Sequence, residues 1–366
     1  MKRYELGMSL DYVASWGIVE AVRELFQNCL DEETLDPENK MSFNYDEETE
    51  ILRIGNRKGK LETRTLLLGT STKRNDKNTI GQHGEGYKVA TTVLLREGYD
   101  FKIYNYSSKE VWVAKVIKSR RYGQDIGVFD VEKTKMRADS DNSIVFEVSG
   151  VSKEDYEAIK ESNLWLQDID LSDQVVSEGY GRVLLDKKYS GKVFVRGLYV
   201  CTKPYMTYGF DLEPHLVNLD RDRGLVDSFN LQYSLGKLIV HTEDSTLIKS
   251  IKDTWEGEYI RYFASDVRSR IAEVYESTLS DFYEKNGKDA VPCNSQNEFN
   301  LLHSKGYNVV MVNENDMHFI TNASGYVPVA EETKSTEDLL YDWIERIEEY
   351  LPEDLYKEGK SLINRL

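Results

Sequence analysis

The sequence predicts an α+β protein, and three features of its first 150 residues carry that prediction. A helical apolar period fills residues 11–32, a β-hairpin pattern follows, and two further helical stretches give way to strand-like runs. The order helix, hairpin, helix, loop, helix, strands implies a two-layer sandwich with helices on one face of a mixed sheet.

The first helix rests on periodicity. At about 100° per residue, Ile18, Val19, Val22, Leu25, Phe26, Cys29 and Leu30 fall on one arc, with Glu20, Glu24, Gln27, Asn28 and Asp31 opposite. After Pro37, the run "KMSFNYDEETEILRIGN" alternates apolar and polar residues around a "DEET" turn, as a hairpin does. The stretch "ETRTLLLGTSTKRNDKNTIGQHGEGYKVATTVLLREG" reads as a short helix, a polar loop, a glycine cluster and a second helix closed by Gly98. Strand candidates "YDFKIYNYS", "EVWVAKVIKS" and "NSIVFEVSG" complete a unit spanning residues 1–150. A second unit, 151–245, holds the strands "GRVLLD" and "GKVFVRGLYVC", the charged turn "NLDRDRG" and a helix around 226–240. Residues 246–366 form a mainly helical, acidic third region in which Leu339, Leu340, Trp343, Ile344 and Ile347 make a packing stripe.

With 366 residues the chain has room for two or three domains at roughly 100–200 residues each. No run approaches the roughly 20 apolar residues needed to span a membrane, and the start lacks a secretory apolar core, so a cytoplasmic protein is expected. The three cysteines, Cys29, Cys201 and Cys293, give neither a disulfide framework nor a zinc spacing. A net charge of −17 does not indicate a nucleic-acid partner.

Glu24, Asn28 and Asp31 stand at i, i+4 and i+7, within about 60° of one another on a helix. One ligand can touch all three: a carboxylate to polarise water, an amide oxygen for Mg²⁺ and a second carboxylate for supporting hydrogen bonds. The same spacing also fits the solvated face of an ordinary helix. Gly81, Gly84 and Gly86 then give G-x-x-G-x-G at the start of a helix, where backbone N–H groups and the helix dipole suit an anion, with Lys73 and Lys88 adding positive charge. The polar stretch 71–79 suits a lid and suits an exposed loop equally.

The E-x-x-x-N-x-x-D helix, the hairpin and the glycine motif, in that order, resemble the GHKL family of DNA gyrase, the ninety-kilodalton heat-shock chaperones, histidine kinases and MutL-type repair proteins. The resemblance covers residues 12 to about 150. It implies a Bergerat-type α/β sandwich that binds ATP and Mg²⁺ beneath a lid, and it suggests a slow ATPase that dimerises with nucleotide and acts on an unknown protein partner. By the same resemblance Glu24 is the general base, Asn28 the magnesium ligand and Asp31 a supporting polar residue. Gly81, Gln82, His83, Gly84 and Gly86 wrap the triphosphate, Lys73 opens the lid, and Ser143 lies near the adenine. The family's D-x-G-x-G aligns with Gly55-Asn56-Arg57-Lys58-Gly59, which has no aspartate, and three readings stand: the side-chain oxygen of Asn56 replaces it as acceptor, backbone and water read the base, or the ligand is not an adenine nucleotide. Residues 151–245 resemble the transducer domain of gyrase and MutL, with Arg221, Arg223 or Lys203 as candidates for the γ-phosphate. The pattern of "GEGYK" and "GKVFVRGLYV" is similar to GHKL-type proteins of bacteria and their phages. Two alternatives stand beside the ATPase: a nucleotide-binding switch without hydrolysis, and an acidic interaction protein that has lost the site.

Overall fold

The computed structural model describes residues 1–66, 86–136, 139, 141–219, 228–329 and 336–363. The first unit runs β1 (Lys2–Ser9), α1 (Ile18–Leu35), β2 (Met41–Asp46), β3 (Ile51–Asn56), α2 (Gly86–Glu97), β4 (Asp100–Asn105), β5 (Glu110–Lys118), β6 (Asp125–Lys133), β7 (Ile144–Ser149) and α3 (Lys153–Glu161). Its seven strands form one sheet in the order β1-β6-β5-β4-β7-β3-β2. Every neighbouring pair is antiparallel, which corrects the expected mixed sheet. The reason lies in connectivity. β2–β3, β4–β5 and β5–β6 are hairpins, and the strands separated by a helix, such as β3 and β4, are not neighbours but flank β7.

Helix α1 begins at Ile18 rather than near residue 11. Val13 takes a left-handed φ of 51° and Gly17 an extended one, so the chain turns twice before it can wind. Glu20 then accepts the Gly17 N–H at 2.8 Å and satisfies a first-turn donor. The turn is held from α2, where the Arg96 guanidinium donates to the carbonyls of Leu10, Tyr12, Val13 and Trp16. Strands β1 and β6 were not anticipated. At Gly127 of β6 a Cβ would lie 2.8 Å from Leu6 Cδ1, so the glycine leaves room for that core side chain.

The core of this unit fills the space between the helices and one face of the sheet. Val22, Leu25 and Phe26 of α1 and Ala90, Val93 and Leu94 of α2 pack there with Leu52, Ile54, Phe101, Trp112 and Phe129. Full burial of each large apolar side chain contributes about 1.5–3 kcal/mol. The opposite face carries charge. Glu147 of β7 bridges Arg53 at 2.8 Å and Lys102 at 3.8 Å, and Asp130 of β6 bridges Arg3 at 2.7 Å and Lys115 at 3.1 Å. One apolar and one ionic face are what an antiparallel sheet with a single helical layer requires.

The second sheet, β8 (Gln174–Ser177), β9 (Gly181–Leu184), β10 (Lys192–Val195), β11 (Leu198–Thr202) and β12 (Gly209–Leu212), has the order β11-β10-β12-β9-β8 with only β10 and β12 parallel. It packs against α4 (Ser228–His241), followed by α5 (Ser245–Ile251), α6 (Arg261–Ala264) and α7 (Ala272–Asn286). A parallel pair, β13 (Ala290–Cys293) and β14 (Asn308–Met311), surrounds α8 (Gln296–Ser304) and leads to α9 (Glu314–Thr321). One apolar cluster runs from Val183 to Ala323, across position 245. The chain closes with α10 (Thr336–Arg346) and α11 (Glu353–Ile363), which pack on each other. The second sheet meets the first unit at the β10–β11 turn, which lies against α1. Leu198 joins the core of the first unit, and Arg196 donates to Thr34 Oγ1 on α1. Among the described residues no helix is long and apolar enough to cross a membrane, and all three cysteines are free.

Candidate functional site

The polar side of α1 is not a solvated face. Glu24 and Gln27 are each 2% exposed and Asp31 is 0% exposed, and the start of α2 lies against Glu24. Burying that much polarity is costly unless every group is engaged. The Asn28 amide nitrogen donates to the Glu24 carbonyl at 2.8 Å, and the Arg23 guanidinium lies 3.8 Å from the Glu24 carboxylate.

Gly86, the first residue of α2, sets the closeness of the two helices. A Cβ at this position would collide with Glu24 Oε2 and stand 3.2 Å from Asn28 Nδ2. The first turn of α2 therefore abuts the carboxylate and amide that the sequence singled out. Lys88 is fully buried two residues on, its Nζ donating to the Thr65 carbonyl at 3.0 Å. Beside it the Tyr87 hydroxyl, 2.8 Å from Thr65 Oγ1, is pushed far above the usual phenol range by burial.

Asn56 ends β3 against the same helix. Its Nδ2 donates to the carbonyls of Cys29 (3.0 Å) and Asn39 (3.2 Å), so both amide protons are committed and only the oxygen is left to accept from a ligand. Ser143 adjoins it: its N–H donates to the Asn56 carbonyl at 2.9 Å and its Oγ to the Arg57 carbonyl at 2.7 Å. Gly55 belongs to the other face of the strand, since Ile54 and Asn56 are the buried alternates. A Cβ on Gly55 would stand 2.6 Å from the Ile144 carbonyl.

Glu24, Asn28 and Gly86 meet where α1 crosses α2. Asp31 follows one turn on along α1, Lys88 lies two residues into α2, and Asn56, with Ser143 beside it, reaches α1 from the strand side at Cys29. Lys203 lies elsewhere, its N–H bonded to the Gly191 carbonyl in the second sheet. Lys73, Gly81, Gln82, His83, Gly84, Arg221 and Arg223 lie outside the described residues. The sequence reading missed Arg23, whose guanidinium also sits 5.2 Å over the Trp16 ring and donates to the Tyr199 carbonyl of β11 at 3.5 Å. Its one sequence signal was a cation next to the key carboxylate. Among the described residues no group of three His, Cys, Asp or Glu side chains could hold a metal. A magnesium ion that keeps its waters and phosphates needs no such group and fits a single amide oxygen like that of Asn28.

No protein-family model matches the chain, and no curated protein matches it. Solved structures similar to it include the ATPase region of Saccharomyces cerevisiae topoisomerase II, at 11% identity over 50% of this chain and 62% of that one, with a TM-score of 0.33. The same region bound to ICRF-187 (dexrazoxane) matches at 12% identity with the same coverages and TM-score. The ATPase and transducer domains of DNA topoisomerase II from Balamuthia mandrillaris match at 10% identity, 50% and 60% coverage and a TM-score of 0.33. The chain spans about three-fifths of the length of these structures.

Proposed function

We propose that the α1–α2 crossing is an ATP site and that the protein is a slow, Mg²⁺-dependent ATPase. The observation that carries this reading is the meeting of a buried carboxylate and a half-buried amide with a helix N-terminus at a glycine that admits no side chain. Buried Glu24 is poised to take a proton from an attacking water, and the first turn of α2, with Lys88 near, receives phosphate. Asn28 would hold Mg²⁺, which supplies charge neutralisation on the phosphates when bound. Asp31 supports the hydrogen bonds of the helix. Asn56, limited to accepting, pairs with a base that presents an amino group, and Ser143 borders that subsite. Gly81, Gln82, His83 and Gly84 complete the phosphate loop in this reading, with Lys73 at the start of a lid. Nucleotide-dependent dimerisation, a protein partner, a cytoplasmic location and a bacterial or phage origin belong to the same proposal.

The test is calorimetric titration with ATP, GTP and a non-hydrolysable ATP analogue, with and without Mg²⁺, alongside phosphate release. Binding of ATP in preference to GTP with phosphate release is the expected result; no heat with any nucleotide overturns the site. Glu24→Ala should keep nucleotide binding and lose roughly 100-fold or more in turnover. Unchanged hydrolysis would remove Glu24 from the chemistry.

A further inference from the structure

A second feature is the outer edge of the seven-stranded sheet, where β2 is the last strand. Hydrogen bonds tell its two sides apart. The Arg57 N–H donates to the Lys40 carbonyl at 2.9 Å, so Lys40, Ser42, Asn44 and Asp46 bond towards β3. Main-chain groups alternate along a strand, and those of Met41, Phe43 and Tyr45 therefore point away from the sheet. The Met41 N–H agrees: it donates to Glu33 Oε2 of α1 at 2.9 Å, not to β3. Among the described residues no hydrogen bond reaches the outward main-chain groups of Phe43 or Tyr45.

A bare edge invites another strand, and the remaining edges of the two large sheets are blunted. β1 carries Lys2, Arg3 and Glu5 and shifts register beyond Glu5. β8 has only four residues, and β11 shifts register against β10. β2 has none of these devices: its six residues run in unbroken register with β3 and include no proline, lysine or arginine. Its own sequence then decides which strand fits. Laid antiparallel on a second β2 about a centre at Phe43, all three outward residues find outward partners, Phe43 beside the partner's Phe43 and Met41 beside the partner's Tyr45. A centre one residue away would set Met41 or Tyr45 against a residue outside the strand. On the open face the same register places Asn44 beside the partner's Ser42 and Lys40 beside the partner's Asp46, each pair occurring twice. Lys40 also bridges Glu33 at 2.6 Å, and Asp46 accepts the Glu48 and Thr49 N–H groups, so both charges are held close to the strand. We propose that the protein self-associates through β2, two copies joining their large sheets edge to edge across a two-fold axis at Phe43. The pairing needs no nucleotide and does not involve the ATP site. A net charge of −17 on each copy opposes it, which places the dimer in the weak class.

The test is sedimentation of the full chain without nucleotide at up to about 200 µM, the range of a weak contact. The mass should rise towards twice that of the monomer. Replacing Ser42→Lys together with Asn44→Lys lowers the net negative charge yet sets like charges opposite each other in two pairs, so association should weaken at least tenfold. Cysteine pairing checks the register. Ser42→Cys protein mixed with Asn44→Cys protein should give a covalent dimer under mild oxidation. Either variant alone should not, because identical positions lie on the diagonal, about 7–8 Å apart and beyond disulfide reach. The proposal is overturned by a chain that stays monomeric throughout, by a doubly lysine-substituted chain that associates as well as the original, or by equal cross-linking in the single variants. Association that appears only with Mg²⁺-ATP also overturns it.

Discussion

At Gly86 a missing side chain lets two helices share one site, and the position should be unforgiving. Gly86→Val would force α2 away from Glu24 and Asn28; nucleotide affinity should fall at least tenfold while circular dichroism stays native, and calorimetry reads the difference. Asn56 is tied to the scaffold as much as to any ligand. An aspartate here would keep an acceptor, yet it has no N–H to give the carbonyls of Cys29 and Asn39. Asn56→Asp should therefore destabilise the nucleotide-free protein by about 2 kcal/mol, read as a lower urea midpoint with an unchanged slope. An unchanged midpoint would mean that those two bonds carry no weight.

At the scale of elements, helix α1 shows what periodicity can and cannot reveal. Its apolar arc was legible because Val22, Leu25, Phe26 and Cys29 recur at helical spacing. Its polar arc was not, since nothing in a single sequence separates a solvated Glu24 from one covered by another helix. The hairpin β2–β3 and strands β4, β5 and β7 followed from alternation. β1 escaped because its register shifts between Glu5 and Ser9 and Gly7 takes a φ of 67°, which breaks the period of two. β6 escaped although its "VFDV" has the same make-up as the "VFEV" read as strand in β7, and the Asp130 partners, Arg3 and Lys115, come from two other strands. That ionic cluster gives the sheet a pH dependence. The hydrogen-bonded Arg3 guanidinium, helped by Lys115, holds the Asp130 carboxyl down to about 2. A carboxylate whose folded value is depressed stabilises the protein above its unfolded value, and that contribution fades as pH falls from about 4 to 2. Asp130→Asn should cost about 1 kcal/mol at neutral pH, where the pair is fully formed, and progressively less as pH falls towards 2. Thermal melts across that window check the slope.

At the scale of the whole molecule, the β10–β11 turn seats the second sheet against helix α1. Leu198 belongs to the second sheet in sequence and to the first core in space. Leu198→Ala should cost about 2–5 kcal/mol and separate the melting of the two units; calorimetry showing a single, unshifted transition would deny that role. The second sheet and the region after it were less legible than the first, because their core is assembled from strands of four or five residues and many short helices. The order of the large sheet has a further consequence for how the protein comes into being. β7, near the middle of the sheet, is its last strand in sequence. Until residue 149 has left the ribosome, the β2–β3 hairpin and the four-stranded β1-β6-β5-β4 block are separate pieces, each with an open edge facing its future partner. A nascent chain stalled before β7 would expose both edges at once, and such intermediates are the ones most in need of a chaperone.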